Sequence, residues 1–273
     1  MTAERNRLPG GIMKKLLLSL ILVLFVLAGL AADSGDATQI GKSGEWANTI
    51  AATAYNGLMY TVEEDGTLYE TNPDNGKWRK IASGYESTVF LAANDKGLFT
   101  IEDDGTLYVI TPSTGKWKQV GKAGDYGNTI AADGIGKYVF TIESNGALYR
   151  TDVTTGKWVQ LGKNDFAATT YMTTTENFIY TVESDGTFYE VSPETGKWRQ
   201  IGKPSEYSGV IGMIGDSDLV YTVEEDGNLW VTDPAEDTVD KLSEGGYDSV
   251  IFMVDTGDIV VITDSGDLYR VEK

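Results

Sequence analysis

Aromatic and acidic side chains recur along this sequence about every 40 residues, and the two kinds together can hold a ligand. The aromatics are Trp46, Tyr85, Tyr126, Phe166, Tyr207 and Tyr247. The acids lie in Glu63-Glu64-Asp65, Glu102-Asp103-Asp104, Glu143-Ser144-Asn145, Glu183-Ser184-Asp185 and Glu224-Glu225-Asp226, while a sixth copy reads Thr263-Asp264-Ser265. An aromatic ring can stack on the apolar face of a sugar while a carboxylate accepts hydrogen bonds from its hydroxyls. Glu63, Glu102, Glu143, Glu183 and Glu224 are therefore candidate ligand-binding residues together with the six aromatics. A structural role is the alternative for both sets: rings that plug gaps between packed units, and Glu-x-Asp-Gly segments that serve only as turns on a solvated rim. None of the acidic turns has the ligand spacing of an EF-hand, so no metal site is assigned.

Other chemistry is excluded by what the chain lacks. It has no His and no Cys, which removes the commonest general base, the Ser-His-Asp arrangement, thiolate metal sites and disulfides. No phosphate-cradling glycine loop or nucleophile elbow occurs, and no cofactor is implied. A catalytic centre needs unlike groups in fixed places. Near-equivalent repeats do not supply them, so the expectation is that the protein is not an enzyme. A formal net charge of −19 opposes nucleic acid and anionic lipid as partners.

The elements that carry these residues follow from the repeat. Gly-x-Leu-Tyr or a close variant starts at Gly66, Gly105, Gly146, Gly186, Gly227 and Gly266, with intervals of 39, 41, 40, 41 and 39 residues. Residues 60–82 and 180–202 are identical at 15 of 23 positions. Each copy divides into four short β-type runs, with Asp-Gly or a related pair marking the hairpin between the second and third. Leu107 and Tyr108 are neighbours and so point to opposite faces of their strand. The same apolar pair in every copy predicts sheets buried on both faces, which describes the blades of a β-propeller.

The sixth copy ends at Val271-Glu272-Lys273, after its third run, and Thr38-Gln39-Ile40-Gly41-Lys42 matches the missing fourth. The expected fold is thus an all-β, six-bladed propeller of four-stranded antiparallel blades, with the N-terminal strand completing the last blade and hiding its edge. Trp78, Trp117, Trp158 and Trp198 open the fourth strands after Gly-Lys and are expected to pack between blades. The six other aromatics lie in the links between blades, on the same end of the ring as the acidic hairpins.

Met13-Lys14-Lys15, the apolar run Leu16 to Leu30 and Ala31-Ala32 have the order of a secretory signal. Residues 1–31 are accordingly read as an N-terminal extension and signal peptide, with Met13 a candidate start, and residues 32–273 as the propeller. An uncleaved anchor is the competing reading of the same run. Cleavage would leave 18 basic and 40 acidic residues, a net of −22, and no integral membrane domain. The expected location is periplasmic or extracellular.

Ile40-Gly41-Lys42-Ser43-Gly44-Glu45-Trp46 with Gly66-Thr67-Leu68-Tyr69 resembles the repeat of tachylectin-type propeller lectins. Gly115-Lys116-Trp117-Lys118-Gln119-Val120-Gly121 with Gly146-Ala147-Leu148-Tyr149-Arg150 is similar to a tectonin repeat. Both resemblances imply a propeller with sugar sites repeated around the ring. Two functions are therefore expected: multivalent, lectin-like recognition of a glycan or glycoconjugate, or a protein-binding scaffold of the envelope or extracellular space without sugar binding.

Overall fold

The computed structural model describes residues 37–273; the signal segment at 1–31 lies outside the described residues. Six four-stranded antiparallel sheets account for all the regular structure described. In blade 1 the strands run Thr49–Tyr55, Leu58–Glu63, Leu68–Asn72 and Lys77–Ala82, paired in chain order. Blades 2 to 5 repeat this meander. Blade 6 supplies only Val250–Asp255, Ile259–Thr263 and Leu268–Val271, and its fourth strand is Ala37–Ile40 from the other end of the chain. Ala37 is opposite Val271 and Ile40 opposite Leu268. First strands of successive blades touch around the ring, and blade 6 meets blade 1 to close it.

Burial explains why both faces of each blade are apolar. Leu98, Phe99, Thr100 and Ile101, consecutive on the second strand of blade 2, are all enclosed. Leu98 and Ile110 of blade 2 pack on Tyr60, Val62 and Leu68 of blade 1. The closing seam is equivalent, with Met59 of blade 1 against Val260, Ile262 and Leu268 of blade 6 and with Ile40 from the N-terminal strand. Fourth strands are exposed along most of their length, as the outermost layer of a radial stack must be.

Adjacent blades are also tied by backbone. The N–H groups of Trp46, Tyr85, Tyr126, Phe166, Tyr207 and Tyr247 donate to the carbonyls of Gly266, Gly66, Gly105, Gly146, Gly186 and Gly227, at 3.0–3.2 Å. Each link thus docks on the hairpin of the blade before it. Gly66 shows why the hairpin needs glycine: its φ is +73°, and a Cβ there would lie 2.6 Å from the Glu86 backbone nitrogen. Gly266 meets Ala47 in the same way.

A rim of aromatic and acidic clefts

The six link aromatics are buried, with 2–5% of their surface exposed. Three of the four tyrosines also satisfy their hydroxyls inside the ring. Tyr85 donates to the Gly115 carbonyl at 2.9 Å, and the hydroxyls of Tyr126 and Tyr207 lie 3.1 Å from Thr151 Oγ1 and Thr232 Oγ1. Phe166 has no hydroxyl, and the blade position that holds Thr151 and Thr232 is Val191 there, in the same apolar cluster. Phe166 therefore packs there with no polar atom to satisfy. These rings fill the wedge between blades and are not open stacking platforms.

The tryptophans of the fourth strands are the reverse of what the sequence suggested. Trp78, Trp117, Trp158 and Trp198 are 52%, 60%, 58% and 49% exposed, instead of packed between blades. The physical reason is radial. Blades diverge outward, so by the fourth strand the neighbouring blade has receded. One edge of each indole is held by a tyrosine of the third strand: Tyr69–Trp78 and Tyr149–Trp158 at 5.3 Å, Tyr108–Trp117 and Tyr189–Trp198 at 4.9 Å, all in edge-on geometry.

These pairs wall clefts that open outward. In blade 1 Trp78, Tyr69, Glu63, Thr61 and the buried Trp46 line a cavity of about 340 Å³. Trp158, Tyr149, Glu143, Thr141 and Tyr126 line one of about 330 Å³ in blade 3. In blade 4 Trp198, Tyr189, Glu183 and Phe166 line one of about 250 Å³. Blade 2 carries the same set in Trp117, Tyr108, Glu102 and Thr100. Strand alternation puts each set on one face: Thr61 is opposite Tyr69, and Thr71, two residues further, is opposite Trp78.

The candidate carboxylates divide by role. Asp65, Asp104, Asp185 and Asp226 accept hydrogen bonds from backbone N–H groups two residues on, at 2.9–3.0 Å, and so are turn residues. The glutamates are different. Glu63, Glu143 and Glu183 accept from Thr49, Thr129 and Thr169 Oγ1 at 2.9, 3.0 and 2.8 Å, and Glu102 from Thr88 at 3.2 Å. Burial raises the pKa of all five glutamates, Glu224 included. Next to Glu63 the charges of Asp65 and Glu64 raise it further. None of the five is in a salt bridge. An ionised carboxylate without a cation in a partly enclosed cleft is held at a cost to the fold.

The structure therefore brings Glu63, Glu143 and Glu183 into clefts with Trp46, Tyr126 and Phe166, but with those rings as inner walls. Sequence reasoning missed the tryptophan–tyrosine pairs and the cleft threonines. The signal was present in Lys77-Trp78-Arg79-Lys80: a tryptophan whose same-face neighbour is lysine lies on a strand with no apolar face.

Residues 42–202 match the family described as outer membrane protein assembly factor BamB. The chain belongs to that family. The BamB match covers four blades and takes the place of the lectin families that the Gly-x-Leu-Tyr motif resembles. No curated protein matches the sequence. Among solved structures, a protein of unknown function from Bacteroides thetaiotaomicron is similar with a TM-score of 0.64 and 13% identity, over 88% of this chain and 75% of that one. PorZ of Porphyromonas gingivalis, described as an essential surface component of the type-IX secretion system, is similar with a TM-score of 0.58 and 14% identity, over 88% of this chain and 33% of its own. A computationally designed protein, Ika8, has a TM-score of 0.54 and 16% identity, over 82% and 71% of the two chains. These structural likenesses concern the propeller fold.

Proposed function

We propose that the protein is an exported, non-catalytic docking propeller of the cell envelope, which binds a partner protein through the outer rim of blades 1 to 4. The four half-exposed tryptophans carry this reading. Tryptophan is among the residues most enriched where proteins bind one another, and a spaced row of them is a set of anchors. Membership of a family described as an assembly factor supports a protein as the partner. The near-equivalence of the clefts supports binding over catalysis, which requires unlike groups. The signal-type segment at 1–31 supports export. The low exposure of the six link aromatics, 2–5%, supports packing between blades over sugar stacking for them.

Photocrosslinking in living cells of the source organism tests the reading. A photoreactive phenylalanine in place of Trp117 is expected to give one or a few discrete adducts with an envelope protein. The same residue in place of Ile251, which is exposed on an innermost strand, is expected to give none of them. Equal adducts from both positions would remove the rim as the docking surface.

A further inference from the structure

The rim clefts have an unmet electrostatic demand. Glu102, Glu143 and Glu183 are ionisable groups drawn out of water, and no lysine or arginine pairs with them. The residues across from Tyr108, Tyr149 and Tyr189 are Gln119, Gln160 and Gln200. Those amides are turned to their own strands, donating to the Gly121 carbonyl, Asn164 Oδ1 and the Gly202 carbonyl. In blade 3 a second polar group is left over. Thr141 is 1% exposed, lines the cleft beside Glu143, and its hydroxyl has no hydrogen-bond partner. A cleft with a tryptophan, a tyrosine, an uncompensated carboxylate and a free hydroxyl is built for a cation that can also lie against an aromatic ring.

Blade 5 shows the same site filled from within. Trp230 stands at the tyrosine position, Val239 at the tryptophan position, and Lys241 is opposite Trp230. The Lys241 Nζ lies over the Trp230 ring, 5.0 Å from its centroid. Burial pushes the Glu224 carboxyl up, and Lys241 pulls against it. Lys241 also reaches Glu244 at 3.5 Å, so it remains a rim residue. In blade 1 the equivalent residue is Lys80, which bonds Thr67 Oγ1 at 3.3 Å. The chain thus carries a lysine across from the third-strand aromatic in blades 1 and 5 and a glutamine there in blades 2, 3 and 4.

We infer that the clefts of blades 2, 3 and 4 take cationic side chains, lysine or arginine, from a basic segment of the partner protein. The ammonium or guanidinium would pair with Glu102, Glu143 or Glu183 and its stem would lie between the tryptophan and tyrosine rings. Repetition at intervals near 40 residues offers three such sockets side by side, so weak single contacts add through linkage. The acidic net charge steers a basic segment toward the ring before contact. This inference rests on the docking reading above and adds the chemistry of the partner.

The experiment uses the whole mature protein with its indole nitrogens labelled, the six signals being assigned by single Trp→Phe variants. Nα-acetyl-arginine methylamide is titrated at physiological salt, beside the neutral isostere Nα-acetyl-citrulline methylamide and a methyl glycoside panel. Arginine is expected to give saturable shifts at Trp117, Trp158 and Trp198, with at least about tenfold weaker response at Trp230, where Lys241 already sits, and to citrulline. Glu143→Gln, which keeps an acceptor for Thr129, should abolish the Trp158 response and leave that of Trp198. Lys241→Ala should make Trp230 respond. Equal response to citrulline, a Trp158 response that survives Glu143→Gln, or response to glycosides alone would overturn the inference. If crosslinks form from position 117 while arginine moves no indole, the docking reading stands and the cationic socket falls.

Discussion

Replacing Tyr207 by alanine is expected to cost about 3–5 kcal/mol of stability, the range for large-to-small changes in a core. Trp158→Ala is expected to cost about 1 kcal/mol, the worth of one edge-on aromatic contact at the surface. Tyr207 is 2% exposed, packs at 4.7 Å between centroids on Phe188, and shares a hydrogen bond with Thr232. Its loss opens a cavity between blades 4 and 5 and strands a buried hydroxyl. Trp158 loses contact with Tyr149 and little else. Tyr126→Ala should behave like Tyr207→Ala, and Trp117→Ala like Trp158→Ala. Urea unfolding of the four variants reads the order directly. A tryptophan variant less stable than either tyrosine variant would mean that the indoles are packed, and the rim would lose its anchors.

Deleting residues 37–45 is expected to lower the melting temperature by about 10 °C or more, or to cause aggregation. The deletion removes the outer strand of blade 6 and leaves Leu268–Val271 as a bare edge. Ile40, 6% exposed, also leaves the seam cluster formed with Trp46 and Met59. Burial of one such side chain is worth about 1.5–3 kcal/mol. The strap that follows is lost too, including the bond from the Gly44 N–H to Asp267 Oδ1 at 3.0 Å. Size-exclusion chromatography and calorimetry give the outcome. A deleted protein that stays monomeric with an unchanged melting temperature would show that ring closure does not depend on the clasp.

Most of the architecture was legible because it is local and repeated. Asp-Gly hairpins, strands with neighbouring apolar residues on both faces and a fixed interval define a blade, and Thr38–Lys42 stood out as the fragment the last copy lacked. The site was less legible, because recurrence shows that positions are equivalent without showing whether they face a neighbour or water. Trp117 sits in Lys116-Trp117-Lys118-Gln119, where only its own size suggested a core. Tyr126 sits in a polar link, Gly124-Asp125-Tyr126-Gly127-Asn128, where only its ring suggested a ligand. Both assignments were settled by non-local geometry: the divergence of the blades at the rim, and the bond from Tyr126 to the hairpin of the preceding blade.

The rim tryptophans are expected to bind the partner and not to hold the ring together. The decisive protein is the one in which Trp78, Trp117, Trp158 and Trp198 are all alanine, measured for affinity toward the partner captured from position 117. A folded monomer is expected, with a melting temperature within about 10 °C of the parent, as four surface changes of about 1 kcal/mol allow. Affinity is expected to fall about 100-fold or more, as removal of anchor residues produces. A fourfold variant that binds the partner as tightly as the parent, or that no longer folds, would contradict that role of the tryptophans.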